Sequence, residues 1–398
     1  MRILFVTMHM EMGGIRKSLL NLLYALKNQE NIKIDLLVLR GELEDIKHQI
    51  AGLGVENCFI CEKTNVYGST LKLQKGISSK FLKIVYGIEC RLWNREKVIR
   101  RLISHAPAYS GYDVAISYTN GIWTKGSVNF SGGCEFYVMD RVQATRKLAW
   151  IHSDPARLGF TNEVCQRVYS KFDAVVNVSK GCKQIFDEIC PELVFKSKVF
   201  YNLCGADIIR KQAADFDPYV ELEKEVFKIV TVCRLDNKSK RIDRAIKCAA
   251  ILKKEFGNII HWTVVGNGID NTYLRSLAKV EDVDDIIFFV GEKDNPYPYV
   301  KNADVFVLTS DYEAFSITVK EALLLGVPVV LTPIPSANEL IVDGESGYIA
   351  DFSSESVADR LKVLINTPEQ LQKMKNILHN NAEMEDCNSF IKLINGQL

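Results

Sequence analysis

Short apolar runs rich in β-branched residues alternate with helical patterns along the whole chain. This alternation is typical of α/β units whose strands lie parallel in a sheet. The runs are apolar throughout, which indicates strands that are buried on both faces. The fold class is therefore predicted as α/β, with doubly wound parallel sheets. The predicted strands are Ile3–Thr7, Ile34–Leu39, Val114–Ser117, Leu148–Ile151, Ala174–Val178, Val199–Tyr201, Lys228–Cys233, Trp262–Gly266, Ile286–Val290, Val305–Leu308, Val327–Leu331 and Tyr348–Ala350.

The first six of these strands predict one domain, and the last six predict a second. With 398 residues and a hydrophobic content of 47%, the chain can bury a core in each. The polar stretch Cys204–Glu225 separates the two sets of strands and is interpreted as an interdomain linker. We expect an N-terminal Rossmann-like domain over 1–203 and a C-terminal one over 204–380, facing each other across a cleft. A last helix within 381–398 is expected to pack back on the N-terminal domain.

Composition narrows the classes of function. A net charge of +1 does not favour nucleic acid as a partner. The eleven cysteines are odd in number and scattered, which fits a reducing compartment. No apolar run approaches the roughly 18 residues of a membrane span, and the run Ile3–Val6 is too short for a signal peptide. We therefore expect a cytoplasmic protein.

Cys58 and Cys61 form a lone C-x-x-C motif. We interpret them as apolar strand residues and not as a redox or zinc pair.

The segment 72–101 differs from the rest of the chain in charge. It holds nine Lys or Arg against two Glu, interleaved with apolar residues that include Leu92 and Trp93. A basic amphipathic segment can lie on an anionic membrane surface. A solvated helical face over the first domain explains the same pattern, and both interpretations stay open.

Two glutamates, Glu313 and Glu321, follow the predicted strand Val305–Leu308. A buried strand, a turn and then a helix offer backbone N–H groups to an anion. Glu313 falls in the turn, and Glu321 lies about two turns into the helix. Carboxylates beside an anion site suit a ligand that joins phosphate to hydroxyl-rich rings, such as a sugar nucleotide.

Two cations, Arg234 and Lys240, follow the predicted strand Lys228–Cys233. The carboxyl ends of parallel strands are where an open α/β sheet binds its ligand. Arginine can grip a phosphate with two hydrogen bonds, and lysine adds a point charge. The alternative is that both are solvated loop cations, which is our interpretation of Lys238 and Arg241 beside them.

Glycines follow two further predicted strands. Gly13 and Gly14 precede a helix, where they let the backbone approach a ligand at the helix N-terminus. Gly266 and Gly268 form a turn beneath the expected ligand. The first pair is not the G-x-G-x-x-G of dinucleotide-binding proteins, so a nicotinamide cofactor is not expected.

His152 follows the strand Leu148–Ile151 and is expected at the ligand side of the sheet, with Asp154 orienting it. The alternative is a structural histidine.

Asp282 and Asp284 match a D-x-D metal site formally. They stand in the acidic loop 281–285 before a strand, so no metal site is predicted.

Together these residues resemble the retaining glycosyltransferases of family 4, which have the two-domain GT-B fold. The resemblance covers nearly the full length and is densest from Arg234 to Asp351. The matching segments are Glu313-Ala-Phe-Ser to Glu321 for the E-x7-E motif, Gly326–Val330, Glu339, Gly344–Gly347, Arg234 with Lys240, Gly13-Gly14, His152, and Tyr201-Asn202 as the interdomain asparagine.

The resemblance implies roles for these positions. Arg234, Lys240, Glu313 and His152 would be catalytic, and Gly13, Gly14, Gly266, Phe315, Ser316, Ile317 and Glu321 would bind the donor. The donor would be a UDP- or GDP-linked sugar, with no other cofactor and no metal. The cations would neutralise the leaving diphosphate, Glu313 would hold the sugar hydroxyls, and Glu321 would hold the ribose. The acceptor would be a glycan or a lipid-linked glycan of surface polysaccharide or glycolipid synthesis.

The chain departs from the family pattern in three places. Ser316 and Arg241 stand where glycine is common, and Ser336–Asn338 replaces a Gly-Gly pair. Two other interpretations remain at this stage. One is a GT-B epimerase or phosphorylase, and the other is a non-catalytic sugar-nucleotide-binding or scaffold protein.

Overall fold

A computed structural model of the chain describes residues 1–61, 88–89, 92–124, 127–129, 132–380 and 387–397. The chain forms two compact units. The first is Met1–Leu203 together with Asp386–Leu398, and the second is Cys204–Glu385. Each unit is a parallel sheet with helices around it.

The first unit is built on a parallel sheet that, among the described residues, has seven strands in the order β3-β2-β1-β4-β7-β8-β9. The strand order reverses between β1 and β4, so this is the position where open α/β sheets bind ligands. A short antiparallel pair, β5 and β6, lies outside the sheet. The strands are β1 Arg2–Thr7, β2 Lys33–Val38, β3 Val55–Ile60, β4 Tyr109–Ser117, β5 Trp123–Thr124, β6 Ser127–Val128, β7 Val142–Ile151, β8 Ala174–Asn177 and β9 Ser197–Val199.

Polar side chains cap the first turn of some helices in the first unit. Thr161 and Ser179 accept hydrogen bonds from the amides of Val164 and Cys182, which starts two of the helices. The last helix belongs to this unit, because Phe390 stacks on Phe5 with ring centroids 6.2 Å apart. Within the described residues, the α-helices of this unit are Gly14–Leu26, Leu43–Ile50, Arg95–Ser104, Gly133–Arg141, Asn162–Val168, Lys180–Ile189 and Asn388–Ile394.

The second unit is a parallel sheet of six strands within the described residues, in the order β12-β11-β10-β13-β14-β15. Its order reverses between β10 and β13, which again marks the ligand edge. Apolar side chains on both faces of the sheet fill its core. The strands are β10 Phe227–Val232, β11 Ile260–Val265, β12 Ile287–Gly291, β13 Val305–Leu308, β14 Val329–Leu331 and β15 Gly347–Ile349. The helices are Ala206–Gln212, Asn237–Lys240, Ile242–Phe256, Asn271–Val280, Tyr297–Lys301, Ile317–Leu324, Ala337–Leu340, Ser354–Asn366 and Pro368–Asn380.

The prediction of two doubly wound parallel domains is confirmed, and each predicted strand overlaps an observed one. Strand β3 was not in the predicted set because it is an edge strand with exposed polar residues, Glu56 and Asn57. The predicted interdomain linker, Cys204–Glu225, begins where the second unit begins. It contains the helix Ala206–Gln212, whose Ile209 is buried in the second unit.

Of the basic segment 72–101, positions 72–87, 90 and 91 lie outside the described residues. The helix Arg95–Ser104 begins at Asn94, whose side chain accepts a hydrogen bond from the amide of Glu96. Leu92 and Trp93 just before it are exposed. Among the described residues, no helix combines the length and apolar character needed to cross a bilayer.

Candidate functional site

Lys240 and Glu313 meet where the loops after β10 and β13 approach each other. The Lys240 ammonium forms an ion pair with the Glu313 carboxylate, although the two residues are 73 positions apart. The Ser310 hydroxyl donates to the same carboxylate oxygen over 3.1 Å. The side chains of Lys240 and Glu313 are only 19% and 17% exposed, so water screens the pair less than it screens a surface pair. The structure thus brings together two of the predicted site residues.

Arg234, the other predicted phosphate cation, points to solvent. Its side chain is 71% exposed and lies 3.5 Å from the Asp236 carboxylate, which makes a weak ion pair. Its guanidinium is therefore not fixed in the way that the Lys240 ammonium is.

Arg241 is not the solvated cation that we predicted, and this prediction is wrong. Its guanidinium pairs with both carboxylate oxygens of Asp243 and with Asp311, and Asp311 also pairs with Arg244. The sequence gives no local signal of this network, because Asp311 is 70 residues from Arg241. Lys238, by contrast, is exposed.

The helix Ile317–Leu324 begins at Ser316, one of the positions where the family often has glycine. Ser316 is buried, and its hydroxyl accepts a hydrogen bond from the Val319 amide over 3.4 Å. Serine is a favourable helix cap because it satisfies an N–H group that lacks a partner within the helix. Phe315 and Ile317 flank this cap at the helix N-terminus, where N–H groups and the helix dipole favour an anion.

Glu321 lies within this helix and is only 3% exposed. One of its carboxylate oxygens accepts a hydrogen bond from the Tyr297 hydroxyl over 3.2 Å. The two glutamates of the predicted pair therefore have different surroundings: Glu313 faces a cation, and Glu321 faces a neutral phenol. Tyr297 was not predicted, and only the fold brings it to Glu321.

At Gly266, the loop after β11 lies close against the residue that follows β10, Cys233. The φ of Gly266 is +142°, and a Cβ at this position would lie 1.9 Å from the carbonyl oxygen of Cys233. Only glycine fits this approach. The Leu235 amide donates to the carbonyl of Asn267 over 2.9 Å, which binds the two loops together.

The acidic loop 281–285 is held by a lysine. The Lys253 ammonium lies 2.8 Å from the Asp285 carboxylate and 3.4 Å from that of Asp282, whose side chain is 93% exposed. Among the described residues, no group of three or more metal-ligating side chains has the arrangement of a metal site.

In the first unit, His152 immediately follows β7. Its amide donates to the side-chain oxygen of Asn120 over 2.9 Å, and its ring lies against Tyr118 with centroids 4.7 Å apart. Burial lowers the pKa of His152 to about 3, and a hydrogen bond to the Tyr118 backbone opposes this shift only in part. The imidazole is therefore neutral at neutral pH, and its Nε2 is a buried atom without a hydrogen-bond partner among the described residues.

Asp154 does not orient His152, so that prediction is wrong. Its carboxylate accepts hydrogen bonds from the amides of Ala156 and Arg157, at 2.7 and 3.4 Å. Short carboxylate side chains commonly bond to amides of their own turn in this way.

Glu135 supports the loop that holds His152, and the sequence did not point to it. The buried carboxylate accepts hydrogen bonds from the Gly121 amide at 2.7 Å and the Tyr169 hydroxyl at 2.9 Å. Gly121 follows Asn120, which in turn binds the His152 amide. Burial raises the pKa of Glu135 to about 7.

Gly13 and Gly14 stand exposed between β1 and the helix Gly14–Leu26. A Cβ added at either would meet no other atom within 4 Å, so packing does not require these glycines. Within the same helix, the Ser18 hydroxyl donates to the side-chain oxygen of Asn202 over 2.6 Å. Asn202 is the asparagine of the family resemblance and is buried in the first unit.

Known proteins resemble this chain in both sequence and fold. Residues 215–381 match the family described as Glycosyl transferases group 1. The O-antigen biosynthesis glycosyltransferase WclY of Escherichia coli is 35% identical over 108 residues, which is 27% of this chain and 29% of WclY. A 4-alpha-N-acetylgalactosaminyltransferase of Campylobacter jejuni, whose name specifies a diphospho-undecaprenol substrate, is 26% identical over 221 residues, which is 55% of this chain and 58% of that enzyme. This chain thus spans less than two thirds of the length of either relative.

A solved structure extends the comparison to the whole fold. Anabaena HepE in complex with UDP and glucose has a TM-score of 0.68 and 15% identity, covering 100% of this chain and 98% of HepE. At this identity, the likeness is one of fold alone. The chain has the GT-B fold, with two Rossmann-like domains.

Proposed function

We propose that this chain is a retaining glycosyltransferase that moves a sugar from a nucleotide-linked donor to a glycan or lipid-linked acceptor. The observation that carries this proposal is the Lys240–Glu313 ion pair at the ligand edge of the second sheet. A cation next to a carboxylate suits a donor in which a diphosphate is joined to a ring of hydroxyl groups. Both residues fall within the segment that matches the group 1 glycosyl transferases.

Lys240 stabilises the diphosphate as it leaves. Negative charge builds up on the bridging phosphate oxygen as the sugar bond breaks, and a fixed cation in a partly buried position lowers the energy of that charge. The exposed guanidinium of Arg234 reaches the same phosphates as a second contact. The N–H groups of the helix turn at Ser316 complete the anion site.

The carboxylates position the donor and do not attack it. Glu313 accepts hydrogen bonds from the hydroxyls of the transferred sugar, and Glu321 accepts them from the ribose. The acceptor hydroxyl attacks on the face that the leaving phosphate occupies, and this phosphate takes its proton. His152, being neutral, contributes as a hydrogen-bonding group to the substrate.

The relatives guide the choice of substrates to test. HepE was solved with UDP and glucose, WclY takes part in O-antigen biosynthesis, and the Campylobacter enzyme is named for a diphospho-undecaprenol substrate. A UDP-linked sugar is accordingly the first donor to test and a GDP-linked sugar the second. An oligosaccharide linked to a polyprenyl diphosphate is the first acceptor.

Peripheral contact with an anionic membrane accompanies a lipid-linked acceptor. Exposed Ile88, Leu92 and Trp93 support it, because they lie beside the basic helix Arg95–Ser104. Sedimentation with vesicles that contain phosphatidylglycerol should carry down the wild type and less of a Leu92→Ser, Trp93→Ser variant. Equal sedimentation of the two, or none of the wild type, would contradict the contact.

The function itself is tested by incubating the purified protein with UDP- and GDP-sugars and the lipid-linked acceptor. We expect nucleotide release that depends on the acceptor, and a product whose anomeric configuration matches the donor. Donor binding without turnover would indicate a non-catalytic binding protein, and a changed donor sugar without transfer would indicate an epimerase. EDTA should leave the rate unchanged, because Lys240 and Arg234 take the part of a metal in this mechanism.

A further inference from the structure

Arg241 adopts a backbone conformation that favours glycine. Its φ is +50°, in the left-handed region where a side chain strains the backbone. Strain of this kind persists only when surrounding contacts hold the residue in place. The contacts that do so here involve its side chain.

The guanidinium of Arg241 joins two carboxylates. Its Nε and one terminal nitrogen donate to the two oxygens of Asp243 at 2.9 and 3.0 Å, and the other terminal nitrogen donates to Asp311 at 3.0 Å. Hydrogen bonds from a planar guanidinium to a carboxylate fix both distance and orientation. Arg241 thereby connects the segment after β10 to the segment after β13.

A second arginine holds Asp311 from the other side. Arg244 is buried and donates to the free oxygen of Asp311 at 2.7 Å and to the carbonyl oxygen of Thr309 at 2.5 Å. Burial alone would raise the pKa of Asp311, but hydrogen bonds from Arg244 and Arg241 hold it below its usual value. The carboxylate is therefore charged and paired on both oxygens at neutral pH.

The backbones of the two segments are also bonded to each other. The Thr309 hydroxyl lies 3.1 Å from the carbonyl oxygen of Lys240 and 2.9 Å from that of Arg241. The Asp311 amide donates to the carbonyl of Ser239 over 3.0 Å. Lys240 therefore lies between two residues that are tied to the other segment, and Glu313 follows Asp311 by two positions.

We infer that Arg241, Asp243, Asp311 and Arg244 form a clamp that fixes Lys240 relative to Glu313 before substrate binds, with Arg241 as its positioning residue. This inference rests on the proposed function, because it concerns the same donor site. A fixed cation needs no rearrangement as charge develops on the leaving phosphate. Loss of the clamp would lower the rate of transfer more than the affinity for the donor.

The test is Arg241→Gly, because glycine accepts the observed φ and removes both ion pairs. We expect kcat to fall by ~10–100-fold, as small displacements of a catalytic group can cost about 100-fold, while the KM for the donor changes by less than ~3-fold. Lys238→Ala is the matched control, since it removes an exposed cation from the short helix Asn237–Lys240, which ends just before Arg241. Its kcat should equal that of the wild type.

A double-mutant cycle separates positioning from a general loss of folded protein. If Arg241 acts through Lys240, Arg241→Gly should reduce kcat by less than ~2-fold in a Lys240→Ala background, because effects through one group are not additive. Additive losses in the cycle, or a normal kcat for Arg241→Gly, would overturn the inference. Each kcat is calculated from the concentration of donor-binding sites, which calorimetry measures, so that unfolded protein is not counted as enzyme.

Amide hydrogen exchange provides a measurement that does not depend on turnover. Exchange over 309–316 should speed up in Arg241→Gly and in Asp243→Asn, and not in Lys238→Ala. Unchanged exchange in both clamp variants would overturn the inference. If the wild type transfers no sugar from any donor, the proposed function fails, and the exchange result alone decides whether the clamp orders this segment.

Discussion

The Tyr297 hydroxyl donates a hydrogen bond to a carboxylate oxygen of Glu321 over 3.2 Å, and both side chains are buried. Tyr297 also packs with Cys204 and Ile209 from the segment that looks like a linker in the sequence. A buried carboxylate is costly unless hydrogen bonds satisfy it. The phenol therefore helps to hold the Glu321 carboxyl group in the orientation that the proposed ribose contact requires.

Replacing Tyr297 with Phe should weaken both folding and nucleotide binding. We expect a loss of about 1–3 kcal/mol in the free energy of unfolding, because a buried acceptor loses a donor. UDP should bind ~3–10-fold more weakly, which corresponds to about 1 kcal/mol. Thermal unfolding and calorimetry measure the two effects. Tyr273→Phe is the control, since Tyr273 is 53% exposed. If the Tyr297→Phe variant bound UDP as tightly as the wild type, Tyr297 would not contribute to the donor site.

Replacing Lys240 with Ala should abolish most turnover and leave the fold intact. We expect kcat to fall by ~100–1,000-fold, the usual cost of removing a group that stabilises charge in a transition state. Circular dichroism should stay unchanged, because Lys240 is the last residue of the short helix Asn237–Lys240 and belongs to neither apolar core of the second sheet. Initial rates at saturating donor provide the measurement. A kcat within a few-fold of the wild type would refute the proposed role of this lysine.

Sequence predicts this fold well because its strands are buried on both faces and read as unbroken apolar runs. Strand β13 has the predicted bounds, Val305–Leu308, whereas the edge strand β3 escapes prediction because its exposed residues are polar. Lys240 and Glu313 are predictable as site candidates because each follows a strand whose carboxyl end lies at the ligand edge.

What the sequence conceals is which distant side chains meet. Arg241 stands among other loop cations in the sequence, but the fold brings Asp311 to it from 70 residues away. The same holds for the contact of Tyr297 with Glu321. The prediction that Asp154 orients His152 fails for a local reason. The short side chain of Asp154 accepts hydrogen bonds from amides of its own turn and not from His152.

Gly14 and Gly266 should respond differently to alanine. Gly14→Ala should leave the melting temperature unchanged or slightly higher, because a Cβ there meets no atom within 4 Å. It should still reduce turnover if backbone at this position approaches a substrate. Gly266→Ala should cost about 3 kcal/mol or more of stability, since strain at an unfavourable φ alone costs about 1–3 kcal/mol and the Cβ would also clash with Cys233.

The control for Gly266 is Gly326→Ala. Gly326 also has a positive φ, +77°, but a Cβ there meets no atom within 4 Å, so this variant isolates the backbone strain from the clash. Thermal unfolding compares the three variants, and donor turnover is measured for Gly14→Ala. Equal destabilisation by Gly266→Ala and Gly326→Ala would contradict the close approach to Cys233. Normal turnover by Gly14→Ala would remove Gly14 from the site.

Glu135 and His152 should make the free energy of unfolding depend on pH in opposite directions. Burial raises the pKa of Glu135 from 4.5 to about 7, so between these values the folded protein holds a proton that the unfolded chain has released. Its stabilising contribution is complete below pH 4.5 and is lost as the pH rises toward 7. Burial lowers the pKa of His152 from 6.5 to about 3, so the unfolded chain binds a proton that the folded protein does not. That contribution is complete above pH 6.5 and is lost as the pH falls toward 3.

The two dependences oppose each other between pH 4.5 and 6.5, and single variants should separate them. Glu135→Gln keeps an oxygen for the Gly121 amide and should make stability rise more steeply with pH, by up to about 1.4 kcal/mol per pH unit relative to the wild type. His152→Gln should shift the slope in the other direction by a similar amount. Urea unfolding at several pH values measures both, with Glu163→Gln as the control because Glu163 is exposed. A slope in Glu135→Gln equal to that of the wild type would mean that Glu135 is ionised in the folded protein across this range. The buried carboxylate would then need stronger hydrogen bonding than the Gly121 amide and the Tyr169 hydroxyl provide.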